Sequence, residues 1–207
     1  MQYATEQFIL ESREDCSIIH LISADHMNRL TLARVKALIV LIEQLADAAL
    51  AKTNCKPLIL TGYDEYFSVG ADLNEVAALS STDALEFARL GQGFMSLIDQ
   101  FPASVYAAIS GYCMGGGLDL ALGCDFRICA ANAIFGHRGA ALGLITGWGG
   151  TQRLSNLIGR ARALEVLVRA EKLKARDALS IGLICEIAAD PLLRCLDLIA
   201  RRRAELD

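Results

Sequence analysis

The pattern of apolar and polar positions along the chain predicts short buried strands that alternate with amphipathic helices. The predicted strands are residues 8–10, 17–22, 58–61, 103–109, 125–130 and 133–135. The predicted helices are residues 32–52, 71–79, 81–100, 118–122, 150–158, 161–170, 175–181 and 192–205. Strand, strand and helix recur without a Pro- or Ser-rich linker, and the pattern therefore predicts one α/β domain with a helical region after residue 150.

Helix-capping residues support two of these helices. Thr31 precedes the apolar repeat of residues 32–52 and is a good N-cap, and Asn54 and Pro57 are expected to end that helix. Ser81, Thr82 and Asp83 together with Glu86 give a capping signature for the helix at 81–100.

The most apolar stretch, residues 103–123, is long enough to raise the possibility of a membrane span. It contains Asp119 beside three consecutive glycines. A strand, a glycine turn and the start of a helix explain the segment better, and we expect no membrane association.

Composition narrows the class of protein. Of the 207 residues, 54% are hydrophobic and 21% charged, which is typical of a globular domain. A net charge of −4 gives no support to nucleic-acid binding, which usually requires a basic surface. The seven cysteines include no CxxC pair, and the N-terminus has no basic and apolar leader pattern. We expect free thiols, no metal site and a cytoplasmic location.

Two glycine-containing turns carry the candidate chemistry. Tyr66-Phe67-Ser68-Val69-Gly70-Ala71-Asp72-Leu73 predicts a strand, a turn at Gly70 and a helix that begins at Ala71. The segment 111–119, with glycines at 115, 116 and 117, repeats this arrangement before Asp119. The first N–H groups of a helix lack intrahelical acceptors. Two such donors that converge would form an oxyanion hole, although each turn alone also fits an anion nest or a packing turn.

Four ordered motifs make the chain resemble the crotonase (enoyl-CoA hydratase/isomerase) superfamily. They are FSVGADL at 67–73, SGYCMGGGLDLALGCDFRICA at 110–130, GLITGWGGTQRL at 143–154 and IGRARALEVLV at 158–168, and ARDALSIGLI at 175–184 also matches. The resemblance extends over residues 8 to 190. It implies an α/β fold with a ββα spiral core in residues 1–150 and, in residues 151–207, a C-terminal helical region of the same domain that is shorter than in the family.

The resemblance also implies a site for an acyl-CoA thioester. The N–H groups of Ala71 and Gly116 would form the oxyanion hole. Contacts to the CoA moiety are implied for Met27, Asn28, Leu30, Ser68, Asp72, Leu73 and Asn74. No cofactor beyond the CoA moiety of the substrate is implied, and the family assembles as homotrimers or dimers of trimers.

The sequence departs from the family at its acid–base residues. Hydratases of the family use two glutamates as general acid and base. Asp119 stands at the first position, one methylene shorter, and is either the proton-transfer group or a helix N-terminal charge. Gly139 stands at the second position, which predicts that two-carboxylate water addition loses one partner.

Three further side chains near these positions admit two interpretations each. His137 would either move a proton or serve as a hydrogen-bonded structural residue. Arg138 would either pair with a substrate carboxylate or be a solvated surface residue. Trp148 would either narrow the acyl pocket or pack in the core.

Three functions therefore remain open at this point. The first is an enzyme that hydrates or isomerises an enoyl-CoA through an oxyanion-stabilised enolate, with Asp119 moving the proton. The second is a decarboxylase of a malonyl-type CoA, in which the oxyanion hole does most of the work. The third is a protein that binds acyl-CoA without catalysis.

Overall fold

The computed structural model describes residues 2–50, 55–63 and 65–205, except for the side chains of residues 49 and 50. The strands are β1 Gln2–Ala4, β2 Phe8–Ser12, β3 Ser17–Leu21, β4 Arg29–Leu30, β5 Leu58–Thr61, β6 Tyr66–Ser68, β7 Gly70–Ala71, β8 Val105–Ile109, β9 Tyr112–Met114, β10 Phe126–Cys129, β11 Ile134–Gly136, β12 Leu173–Lys174 and β13 Glu186–Ile187. The helices are α1 Leu32–Leu50, α2 Leu73–Ala77, α3 Ser81–Asp99, α4 Gly116–Gly123, α5 Gly150–Ile158, α6 Arg160–Arg169, α7 Ala175–Ser180 and α8 Pro191–Ala204, and a 3-10 turn spans Ala140–Leu142.

A repeating unit of two strands and a helical segment builds two main sheets, because the two strands of each unit join different sheets. The larger sheet has the order β1-β2-β3-β5-β8-β10-β13, and the smaller has the order β12-β11-β9-β6. The successive pairs β5 and β6, β8 and β9, and β10 and β11 each give one strand to each sheet. This arrangement confirms the predicted ββα spiral.

The core lies on both faces of the larger sheet, as expected for parallel strands. One face, which includes Leu58 and Leu60 of β5, packs against α1, α3 and α4. The other face, which includes Ile59, packs against Cys195 and Ile199 of α8. The C-terminal helix therefore completes the second layer of the domain.

Four helices, α1, α3, α5 and α7, begin at the predicted residues, and the starts of the other four differ from the prediction by one or two residues. Thr31 caps α1 as predicted, because its Oγ1 accepts a hydrogen bond of 3.2 Å from the backbone N–H of Arg34. Helix α3 is capped by a box of Ser80 and Asp83. Asp83 was among the predicted capping residues, whereas Ser80 was not predicted and Glu86 has no part in the box. The predicted end of the first helix, Lys52 with Asn54 beyond it, lies outside the described residues.

Several very short strands were missed. Strand β7 lies where a turn at Gly70 and a helix start at Ala71 were predicted, the glycine-containing segment 111–119 contains β9, and the region after residue 150 contains β12 and β13. A strand of two or three residues has no readable period, so pairing with its neighbours decides its conformation. None of the helices within the described ranges is long and apolar enough to cross a membrane.

Candidate active site

The two glycine segments meet at one wall of a cavity. Gly70 has φ +88°, and a Cβ atom built on it would lie 2.5 Å from the backbone nitrogen of Gly116. A Cβ atom built on Gly116 would in turn lie 3.3 Å from the backbone nitrogen of Ala71. Residue 70 must be glycine both for its conformation and for this close approach. The two predicted donor residues are therefore neighbours, although they are 45 positions apart in the sequence.

The two predicted donor residues lie in different local structures. Gly116 is the first residue of α4, and its N–H group has no intrahelical acceptor. Ala71, in contrast, lies in β7, which pairs in parallel with β4, and α2 begins only at Leu73 with Asp72 as its N-cap. The prediction that a helix starts at Ala71 was wrong, because the Asp72 side chain caps the helix two residues later.

Buried hydrogen bonds fix the strand that carries Ala71. The Asn28 side chain donates to the carbonyl oxygen of Tyr66 at 2.8 Å. Ser68 Oγ donates to the Asn28 carbonyl at 2.7 Å and accepts from the Gly70 N–H at 3.1 Å. Asn28 and Ser68 are both fully buried. This network ties β4 to β6 and β7 and so sets the position of Ala71.

Asp119 lies in the first turn of α4 and is almost fully buried, with 3% of its side chain exposed. Thr146 Oγ1 donates a hydrogen bond of 2.7 Å to Asp119 Oδ2. Asp119 Oδ1 is buried and has no hydrogen-bond partner among the described residues. A Cβ atom on Gly150 would lie 2.0 Å from this oxygen, so the carboxylate fits only because residue 150 is glycine. The positive end of the α4 dipole favours the charged carboxylate.

His137 lies against this carboxylate. Its Nε2 atom is 3.6 Å from Asp119 Oδ2, and the residue is 9% exposed. On the other side of the ring, a Cβ atom on Gly139 would lie 3.3 Å from His137 Nδ1. The imidazole therefore occupies the space beside the position where the family resemblance places a second carboxylate. His137 therefore lies at the cavity beside Asp119, and both interpretations of its role, proton transfer and structural hydrogen bonding, stay predictions.

A cavity of about 540 Å³ connects these groups. Its lining is mostly apolar, and its ionisable side chains are Asp119, His137 and Arg138. Arg138 is exposed, and its side chain makes no ion pair or hydrogen bond among the described residues.

Trp148 lines the cavity and is also buried against Phe87, whose carbonyl oxygen accepts a hydrogen bond from the indole at 3.3 Å. Trp148 therefore packs in the core and also lines the cavity, and its narrowing of an acyl pocket stays a prediction.

The residues predicted to contact CoA fall into two groups. Asn28, Leu30 and Ser68 are fully buried, so their side chains face the protein interior. Met27 and Asp72 are half-buried, and Leu73 and Asn74 are exposed near the cavity. CoA contacts stay a prediction, and only this second group presents side chains that a ligand could reach.

The cysteines near the site are not nucleophiles. Burial raises the pKa of the Cys113 thiol well above its usual range, and neighbouring Cys124 and Asp119 add to this effect. Burial likewise raises the pKa of Cys124 and of Cys129 to about 12. These thiols stay protonated and pack as small apolar groups. In the described ranges, no set of three or more His, Cys, Asp and Glu side chains is placed to hold a metal ion.

Sequence reasoning missed two residues of the site. Thr146 and Gly150 belong to the matched motif GLITGWGGTQRL, but nothing in its letters assigned them to Asp119. The glycines at 149 and 150 could have predicted that another group packs closely against this segment. They do not show that this group is the Asp119 carboxylate.

Comparison with known proteins identifies the class. The ββα spiral is shared with a solved enoyl-CoA hydratase from Thermoplasma volcanium, with a TM-score of 0.85, 30% identity and coverage of 95% of this chain and 77% of that one. A solved Geobacillus kaustophilus protein of the same description has a TM-score of 0.89 and 26% identity over 98% of this chain and 76% of that one. These likenesses define a crotonase-superfamily fold.

The family follows from the sequence match. A family model described as enoyl-CoA hydratase/isomerase matches residues 12–200, and the chain belongs to this family. A crotonyl-CoA hydratase of Syntrophomonas wolfei is 38% identical over 188 residues, which cover 89% of this chain and 70% of that protein. A short-chain-enoyl-CoA hydratase of Clostridium acetobutylicum is 38% identical over 131 residues, or 63% of this chain and 50% of that protein.

Proposed function

We propose that the protein hydrates short enoyl-CoA thioesters, or shifts their double bond, through an enolate held in a backbone oxyanion hole. The single observation that carries the proposal is the approach of Ala71 and Gly116 at the wall of a cavity that also contains Asp119. The relative named crotonyl-CoA hydratase supports hydration as the reaction.

The oxyanion hole acts where charge develops. When a nucleophile adds to the β-carbon, or a proton leaves the α-carbon, the thioester oxygen gains negative charge. The N–H groups of Ala71 and Gly116 would donate to this oxygen. The loss of one donor of this kind typically costs ~3–4 kcal/mol of transition-state stabilisation. Proton transfer falls to the pair formed by Asp119 and His137, and the apolar walls hold the acyl chain.

A decarboxylase of a malonyl-type CoA is the second candidate. It is favoured by Arg138, an unpaired cation at the cavity among the described residues, which could pair with a substrate carboxylate. Decarboxylation also yields a thioester enolate, so it uses the same oxyanion hole and needs no carboxylate base.

The first test is to incubate the protein with crotonyl-CoA and to follow hydration as the loss of absorbance of the conjugated thioester. We expect hydration by the native protein, and we expect Asp119→Asn to lower turnover by at least ~100-fold while thioester affinity stays within a few-fold. Asp99→Asn, on an exposed position of α3, is the control and should be without effect. If crotonyl-CoA is bound but unchanged, release of CO2 from methylmalonyl-CoA would favour the decarboxylase. Silence in both assays would favour a non-catalytic acyl-CoA-binding protein.

Assembly as a homotrimer or dimer of trimers and a cytoplasmic location belong to the same proposal, on the strength of the family alone. The CoA moiety of the substrate would be the only cofactor-like group.

A further inference from the structure

Asp119 and His137 differ in their access to the cavity. The side chain of Asp119 is 3% exposed, whereas that of His137 is 11% exposed. Both carboxylate oxygens of Asp119 face protein groups, since Oδ2 accepts from Thr146 and Oδ1 lies against Gly150. Both residues line the cavity, and the imidazole is the more exposed of the two.

The two ring nitrogens of His137 have different surroundings. Nε2 is 3.6 Å from Asp119 Oδ2, which is longer than the ~2.7–3.2 Å of a hydrogen bond but within ion-pair range. Catalytic hydrogen bonds are often long in the absence of substrate. Nδ1 lies on the side of Gly139, where a side chain is missing. A carboxylate at Nε2 fixes the tautomer that leaves Nδ1 free to accept a proton.

We propose that His137 is the catalytic proton-transfer group of this site and that Asp119 is a positioning residue, which orients the imidazole and stabilises its charged form. The inference rests on the proposed function, since it assigns the acid–base roles of the same reaction. His137 thereby takes the place of the carboxylate that Gly139 lacks.

One imidazole is sufficient for hydration. As the water oxygen bonds to C3 of the enoyl thioester, His137 Nδ1 takes one water proton. The C2=C3 π pair then becomes the C1=C2 bond of the enolate, and the C1=O π pair moves onto the carbonyl oxygen of the thioester. The resulting enolate then takes the same proton from Nδ1 at C2, and the thioester carbonyl reforms. Water is added across the double bond, and His137 returns to its neutral form. Asp119 remains a carboxylate throughout and exchanges no proton with the substrate.

Thr146 is part of the same assignment. Its hydroxyl donates to the oxygen of Asp119 that faces His137. It therefore fixes the carboxylate in the orientation that the imidazole needs, and its removal should have a smaller effect than removal of either ionisable group.

The experiment compares His137→Gln, His137→Ala, Asp119→Asn and Thr146→Val in crotonyl-CoA hydration, with thioester affinity and circular dichroism measured for each. General acid–base catalysis contributes ~100- to 10,000-fold, and we expect His137→Gln to lose kcat within this range while KM changes by a few-fold at most. Added imidazole should restore activity to His137→Ala but not to Asp119→Asn. Thr146→Val should lose about 10-fold, because the carboxylate is displaced but present.

The chain offers a matched control. His20 Nε2 lies 3.5 Å from Glu11 Oε2, a pairing like that of His137 with Asp119, but on the larger sheet and outside the cavity. His20→Gln should leave turnover unchanged. This control separates a catalytic imidazole from the general effect of breaking a histidine–carboxylate contact.

The outcomes separate the inference from the function on which it rests. Hydration by the native protein that persists in His137→Gln but is lost in Asp119→Asn would overturn the assignment, because Asp119 would then move the proton itself. Loss in His137→Ala without imidazole rescue, at unchanged thioester affinity, would also overturn it. Native protein that neither binds nor converts crotonyl-CoA would overturn the proposed function and the inference together.

Discussion

The cavity has a backbone wall, formed by Ala71 and Gly116 with Gly70 packed against Gly116, and a side-chain wall, formed by Asp119, His137 and Thr146. In the backbone wall two main-chain segments pack so closely that a single Cβ atom on Gly70 would lie 2.5 Å from the Gly116 nitrogen. In the side-chain wall the contacts are a hydrogen bond of 2.7 Å from Thr146 and a looser approach of 3.6 Å from His137.

Under the proposed function, the backbone wall stabilises the enolate oxygen and the side-chain wall transfers the proton. The backbone wall has almost no room for substitution, since its atoms belong to the packing of two strands and a helix. The side-chain wall carries a few polar groups on that frame, and these can change without a change of fold. Gly139, beside His137, stands where the family resemblance places a carboxylate, and the fold is kept despite this change.

The largest effect is expected from a variant that breaks the backbone wall. Gly70→Ala forces an alanine to φ +88° and places its Cβ atom against the Gly116 nitrogen. Removal of one oxyanion donor costs ~100- to 1,000-fold in kcat, and we expect a loss of this size in crotonyl-CoA hydration. The free energy of unfolding in urea should fall as well.

Gly143→Ala is the control for the conformational part of this effect. Gly143 has φ +71°, but a Cβ atom there would have nothing within 4 Å. It should lose only the ~1–2 kcal/mol of a left-handed alanine. Equal losses in stability and activity for the two variants would contradict the idea that close approach defines the backbone wall.

A smaller and more selective effect is expected from Gly150→Ala, which disturbs the side-chain wall. The new Cβ atom would lie 2.0 Å from Asp119 Oδ1, so the carboxylate must move. A displacement of ~1 Å costs ~100-fold in rate, and we expect this loss in kcat while thioester affinity is kept. Gly147→Ala, whose Cβ atom would lie 3.5 Å from that of Ala88, should be nearly neutral. Loss of thioester affinity in Gly150→Ala would show that the two walls are not independent.

The smallest effect is expected at Trp148, which lines the cavity and packs against α3. A Cβ atom on Gly91 would lie 2.0 Å from the Trp148 ring, whereas one on Gly93, in the same helix α3, would have nothing within 4 Å. Gly93→Ala should raise the free energy of unfolding by ~0.5–1 kcal/mol. Gly91→Ala should lower it by ~1–3 kcal/mol through overpacking.

Gly91→Ala should also shift the preference among acyl chain lengths by a few-fold, because Trp148 has to move. Rates with a series of enoyl-CoA thioesters measure this shift. An unchanged preference would place Trp148 in the core only and remove it from the acyl pocket.

Much of the fold could be predicted from the sequence. Strand β5 and helix α5 begin and end at the predicted residues, because each is an apolar run or repeat with clear end signals. The prediction failed at β7 and β9, whose few residues take their conformation from neighbouring strands. It failed at the start of α2 for a related reason, since Asp72 caps that helix and leaves Ala71 in a strand.

The sequence by itself determined the family, the spiral and the positions of Ala71, Gly116 and Asp119, because these depend on ordered motifs and on local backbone preferences. Only the tertiary structure decided the chemistry around them. Thr146 meets Asp119 across 27 positions, and Gly150 leaves the space that this carboxylate occupies. The ring of His137 stands between Asp119 and the empty place at Gly139. Such contacts depend on the direction of side chains from separate elements, which no spacing in the sequence records.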